Sequence, residues 1–282
     1  MYEYFFGSTD PVSDLACERR RVDSSIDGVG ISKSFSAGGV WERIKITSEL
    51  GEKSIGRPKG NYDTLTVERM DLIDCTTLPD VSEEVARELC LLLEKHGTFP
   101  DRLLVVGLGN RELTPDSVGP RCAEQVCATM HIKEHDAVMF RSLECSEIAV
   151  IKPGVTSESG LDAASLIRSA CELIKPSALL AVDALAAGSA QRLGRTIQFS
   201  DTGIFPGSGL GNPRGAITKE TVGAPVIAIG VPTVIDARLL SGDSNILGGE
   251  AMFVSPKEIN GIVKSAAKII ADGINQAFGI SL

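Results

Sequence analysis

Apolar and polar positions change period along this chain. Trp41–Thr47 and Tyr62–Val67 alternate every second residue, which predicts strands with one buried and one wet face. With glycines between them, residues from Gly28 to about Asp74 read as a peripheral antiparallel region. Residues 83–96 switch to the helical period: Val85, Leu89 and Leu92 share a face, Ser82 is placed to cap, and Gly97 stops the run. Four short continuous apolar runs follow, Leu103–Val106, Ala137–Phe140, Ala178–Val182 and Pro225–Ile229, each the pattern of a strand buried on both faces. Ile197–Phe199 predicts a shorter strand, and 117–130, 161–175 and 256–278 read as helices. Alternating strands and helices imply right-handed crossovers. The expected fold is therefore α/β, a mostly parallel central sheet flanked by helices, with a smaller N-terminal β-rich lobe over 14–80 packed on a core spanning 81–282. Residues 1–20 show no clear period and read as an extension.

Composition narrows the function classes. Only 5% of the 282 residues are aromatic and 29 are glycine, so the core must be aliphatic and the turns tight. A net charge of −9 argues against direct nucleic-acid binding, and Arg19, Arg20 and Arg21 form too short a patch to reverse it. The seven cysteines are odd in number and scattered, Met1–Ser8 lacks the basic flank and apolar run of an export signal, and no window reaches the length of a membrane span. A cytoplasmic setting without a membrane partner is expected. Cys122 and Cys127 do not have zinc-knuckle spacing, no histidines follow at ligand spacing, and no metal or other cofactor is expected.

In a parallel sheet, reactive groups collect beyond the carboxyl ends of strands. Asp116 follows the first main strand, Asp183 directly follows the run 178–182, Asp201 follows 197–199, and Asp236 closes the segment after 225–229. Two of these carboxyls in proximity would hold one proton between them, the arrangement that acid–base activation of a water needs. Asp116 precedes a helical run and also suits an N-cap, whereas Asp183 is costly to bury without a partner. Asp201 and Asp236 suit turns as well as supporting site positions. Asp201-Thr202-Gly203 has the composition of the all-β aspartic protease triplet, in the wrong surroundings. Gly107-Leu108-Gly109 lacks the third glycine of a dinucleotide loop. Residues 207–212 lack the Lys-Ser/Thr pair of a phosphate loop; they read as a backbone-binding rim, with Gly207, Ser208 and Gly209 as substrate-binding positions. His96, His131 and His135 sit at or beyond helix ends, which removes the main ingredient of a histidine triad.

Several segments resemble the germination protease family of spore-forming bacteria: Val105–Asn110 with Thr114–Pro120, Ala181–Ala187, Thr196–Gly203, Pro206–Asn212, Pro225–Asp236, Val254–Ile259, Asp272–Asn275, and near the start Asp14–Ala16 and Gly56–Tyr62. The resemblance implies an endopeptidase that degrades small acid-soluble spore proteins in the spore core during germination. It further implies a zymogen that removes its own N-terminal propeptide (here 1–13, with the boundary near Ser13–Asp14), a homotetramer, a fold like that of hydrogenase-maturation proteases, and Asp116 and Asp183 as the catalytic pair. Between Asp236 and Val254 the usual family member carries a longer insertion. Two alternatives stay open at this stage: a metal held by Asp116, Asp183 and Asp236, and a non-catalytic peptide-binding relative.

Overall fold

In the computed structural model, residues 13–18, 26–97, 100–206, 215–241 and 252–280 are described. The period-two segments pair into β1 (Val29–Ser36) and β2 (Gly39–Ile46), then α1 (Glu49–Ile55) leads to β3 (Gly60–Thr66). Next come α2 (Leu78–Glu94), β4 (Arg102–Gly107), a 3-10 turn at Thr114–Asp116, α3 (Val118–Ala123), α4 (Met130–His135), α5 (Ala137–Ser142) and β5 (Glu147–Ile151). The chain continues through α6 (Thr156–Ser159), α7 (Ala163–Ile174), β6 (Ala178–Ala187), β7 (Thr196–Ser200), α8 (Lys219–Val222) and β8 (Val226–Asp236). It closes with α9 (Ala237–Ser241), β9 (Phe253–Val254) and α10 (Ile259–Ala277).

All nine strands of the described residues join one sheet, in the order β1-β2-β3-β7-β8-β6-β4-β5, with β9 on β8. The pairs β8–β6, β6–β4 and β4–β5 are parallel, as the apolar runs predict; β1, β2, β3 and β7 are antiparallel to their neighbours. The α/β architecture is thus as expected, and its β-rich N-terminal segment is the antiparallel wing of the same sheet. On one face α2, α3 and α10 cover Leu103, Val105, Leu180, Val182, Ile227 and Ile229. On the other, α7 covers Leu104, Val106, Leu179, Ala181, Val226 and Ala228, while Ala16, Ile44, Ile46, Ile55 and Tyr62 form a separate apolar cluster under α1. Between these two clusters the same face turns polar.

Local readings fail where a short apolar run has no second signal. Ala137–Phe140 is helix α5, because Asp136 accepts from the amides of Val138 (3.1 Å) and Met139 (2.9 Å) and caps a helix in place of starting a strand. The strand at that place in the sheet is β5, ten residues on. Helix α2 begins at Leu78, not at 83, because Asp74 accepts from the amides of Thr76 and Thr77 and Pro79 suits the first turn. Ser82 is consequently inside the helix, not its cap. The expected helix over 117–130 shortens to α3, and the segment Gly230–Asp236 after the apolar run continues strand β8.

Candidate active site

Strand β4 ends at Gly107, opposite Val182, while β6 and β8 run on to Ala187 and Asp236. Asp183 therefore lies within a strand, at the first position where β6 has lost its β4 neighbour, and it is 6% exposed. Its Oδ1 accepts from the Ala184 amide at 2.9 Å. The loop after β4 folds across this end of the sheet: the Leu108 amide donates to Val182 O (2.8 Å), and the Asn110 amide to Asp116 Oδ2 (2.8 Å). Gly119 is needed for that closeness, since a Cβ there would lie 2.3 Å from both Leu108 O and Val182 O. Gly109 adopts φ +107°, with its backbone against Asp116. The 3-10 turn ending in Asp116 packs against β6 and β8. Helix α3 starts after Ser117, and the Asp116 carboxylate binds within its own loop, so capping does not account for it.

A cavity of about 50 Å³ borders Asp183, lined also by Asp14, Arg57, Tyr62, Gln198, Ser200 and Thr202. That is room for a few waters. Strand register explains the lining: Thr64, Gln198, Gly230 and Asp183 form one row across β3, β7, β8 and β6, and Tyr62, Ser200 and Ala228 form the adjoining row. Burial pushes the Tyr62 phenol up to about 12, so it stays neutral. It donates to Pro58 O (2.8 Å) and accepts from Thr202 Oγ1 (3.2 Å).

The segment Ser13–Ala16 lies across this polar seam. The Asp14 amide donates to Ala186 O (3.0 Å), and the Ala186 amide donates to Asp14 Oδ2 (2.9 Å). Arg57 Nη2 donates to Ser13 O (3.2 Å) and Asp14 O (2.7 Å). Gln198 Nε2 donates to Asp14 O (3.3 Å), while its Oε1 accepts from the Ala16 amide (2.7 Å). Leu15 and Ala16 are fully buried. Asp14, Arg57 and Gln198 line the cavity; sequence reasoning named Asp14 only at the expected propeptide boundary and none of the three as a site residue, and the signal for Gln198 was a lone amide inside the apolar run Ile197–Phe199.

The four strand-end aspartates do not assemble. Because β7 is antiparallel to β8, Asp201 falls toward the amino end of the parallel strands. There it accepts from the Asn61 amide (2.7 Å) and side chain, and it pins the start of β3. Asp236 lies six positions along β8 from Gly230, Asp183's register partner, or roughly 20 Å at a strand's rise. Arg238 grips it with Nε at 3.0 Å from Oδ1 and Nη2 at 2.5 Å from Oδ2. These bonds and that positive charge hold the Asp236 carboxyl below the usual range. A three-carboxylate metal set of Asp116, Asp183 and Asp236 is therefore not formed, and no cluster of three or more His, Cys, Asp or Glu with that geometry occurs among the described residues. Gly207, Ser208 and Gly209 lie outside the described residues. None of the three histidines lines the cavity.

Comparison with known proteins bears on this site. A family model described as "Germination protease" matches residues 12–247. The chain is 35% identical to a germination protease of Caldanaerobacter subterraneus, over 94% of this chain and 93% of that one. It is 36% identical to one from Clostridium perfringens, over 94% of each. A germination protease of Bacillus thuringiensis is 39% identical over 80% of this chain and 62% of its own length. Among solved structures, the NiFe hydrogenase maturation protease HycI from Thermococcus kodakarensis KOD1 superposes with a TM-score of 0.35 at 19% identity, over 65% of this chain and 98% of that one. A superposition of that quality carries no weight for function.

Proposed function

The chain belongs to the germination protease family, whose members are peptidases, and from that premise we propose that it degrades small acid-soluble spore proteins with a water activated between Asp116 and Asp183. The observation that carries this reading is the placement of Asp183. A carboxylate within a strand is costly to bury, and it persists here at the one point where β4 ends and the Asp116 loop folds over β6. The small cavity beside it gives room for the attacking water. One carboxylate takes a proton from that water, and the other, protonated, serves the leaving amide nitrogen.

The proposal extends to a zymogen. Ser13–Asp14, the expected boundary of a propeptide spanning 1–13, lies against this cavity, which supports processing by the same site. A homotetramer in the spore core follows from the family resemblance. The net charge of −9 fits a protein substrate better than nucleic acid.

The test is incubation of the purified full chain with a small acid-soluble spore protein, followed by intact-mass measurement of both. Fragments of the substrate and loss of residues 1–13 are expected. Asp116→Asn and Asp183→Asn should each lower kcat by at least about 10³-fold with an unchanged circular dichroism spectrum. Cleavage within threefold of the parent by either variant would refute the pair.

A further inference from the structure

The Asp14 carbonyl is held by two side-chain donors that reach it from different elements. Arg57 comes from the turn between α1 and β3, and Gln198 comes from the middle of β7. Asp14, Arg57 and Gln198 line the same cavity as Asp183. Gln198 uses both ends of its amide on this one segment, donating to Asp14 O and accepting from the Ala16 amide, which is how a side chain reads the backbone of an extended peptide. The Arg57 side chain is 17% exposed, and its Nε–H is buried without a hydrogen-bond partner among the described residues. Buried donors are nearly always satisfied, so a spare donor beside a held carbonyl is a feature of a site built for one more acceptor.

From this geometry we infer that Arg57 and Gln198 are the donor pair that polarises the carbonyl of a substrate peptide bond laid beside Asp183; the chain's own Asp14–Leu15 bond, one residue past the expected Ser13–Asp14 boundary, is the resting occupant and not the bond that processing cuts. The inference rests on the peptidase reading above and adds to it the electrophilic half of the reaction. In that step the water oxygen bonds to the carbonyl carbon, its proton passes to an aspartate, and the π pair moves to the oxygen held by Arg57 and Gln198. The C–N bond then breaks as that pair returns, and the nitrogen takes a proton from the carboxylic acid; the hydroxyl stays on the carbonyl and one hydrogen on the amine. Preorganised donors of this kind are worth about 10²–10³ in kcat. A charged guanidinium gives the stronger of the two bonds, in keeping with its shorter distance.

The experiment compares full-length Arg57→Lys and Gln198→Glu with the parent. Gln198→Glu keeps the acceptor for the Ala16 amide and loses the donor to Asp14 O, so it separates carbonyl polarisation from the seating of the segment. With a small acid-soluble spore protein as substrate, kcat should fall about 10²-fold in each variant, KM should stay within threefold, and the melting temperature should stay near the parent's. In parallel, a synthetic 1–16 segment carrying ¹³C at the Asp14 carbonyl is ligated to 17–282 through Cys17. The carbonyl resonance of the refolded full chain should move upfield in both variants as polarisation is lost. An unmoved resonance, or a kcat within threefold of the parent in both variants, overturns the donor pair. A parent chain that cleaves nothing while the resonance moves as expected overturns the peptidase reading and leaves the donor pair standing.

Discussion

Replacing Asp63 by Asn should make the protein more stable at pH 8 than at pH 5 relative to its parent, and the size of the effect follows from one buried contact. Asp63 on β3 is 3% exposed and Glu88 on α2 is 1% exposed, and their side chains hydrogen-bond to each other. Burial, the hydrogen bond to Glu88 and the Glu88 charge together push the Asp63 carboxyl from 3.8 up to about 8. Lys95 and Arg43 oppose this rise; Arg43 Nη2 lies 2.6 Å from Glu88 and its guanidinium stacks 4.5 Å over the Trp41 ring. The folded chain therefore holds a proton there that the unfolded chain releases near pH 4. Stability from this group is full below the unfolded value and is lost as pH rises through the folded one. A difference of about 4 pKa units at ~1.36 kcal/mol each sets a ceiling near 6 kcal/mol.

Asn keeps a donor for Glu88 and cannot titrate. The stability gap between Asp63→Asn and parent should widen in favour of the variant by at least about 2 kcal/mol between pH 5 and pH 8, or roughly 0.7 M in urea midpoint. Trp41, the single tryptophan, donates from Nε1 to Glu84 (2.8 Å) on the same helix and reports the transition by fluorescence. A gap that is flat across that range would mean that Asp63 is ionised in the folded chain, and the shared-proton account would be wrong.

Two further outcomes follow from single buried contacts, one far from the cavity and one beneath the Asp116 loop. Arg238→Met should cost about 3–5 kcal/mol, read as a lowered melting temperature, because it strands Asp236 at 3% exposure. The Asp236 carboxyl is held low in the folded chain, so this cost should be complete at neutral pH and shrink as acid protonates it. Gly119→Ala should displace the Asp116 loop, lowering kcat at least about tenfold and stability by about 1–3 kcal/mol, since the added Cβ meets two carbonyl oxygens at 2.3 Å. Parent-like kcat and melting temperature in Gly119→Ala would show that the loop yields without moving Asp116.

Period and apolar runs made most of the sheet legible before any coordinates. The runs at 103–106, 178–182 and 225–229 lie in β4, β6 and β8, whose two-sided burial is what a continuous apolar run encodes. Ala137–Phe140 shows the limit of that signal. Four apolar residues fit a helix turn as well as a strand, and the deciding residue was Asp136, a cap that stood just outside the run. Val138 and Met139 are 70% and 51% exposed, so burial did not make the choice either. Edge strand β5 was missed for the opposite reason: Glu147 opens it, paired with Arg102 and Lys133, and an acid at the first position disguises an otherwise apolar strand.

The site was legible only as far as strand direction was. Asp183 lies in β6 and Asp116 in the loop that follows its parallel neighbour β4, so the rule about carboxyl ends applies to both and brings them to one edge. Asp201 follows β7, whose composition is as apolar as its neighbours' but whose direction is reversed, and reversal cannot be read from five residues. Asp236 failed on length: β8 outruns β4 because β6 and β9 supply it with partners beyond Gly230, and pairing of that kind is set by distant segments. The same long-range pairing placed Arg57 and Gln198 beside Asp183, from a turn and a strand more than a hundred residues apart. Groups that meet only through an antiparallel wing leave no spacing signature in the chain. What brings such groups to Asp183 is register across the sheet, from β3 through β7 and β8 to β6.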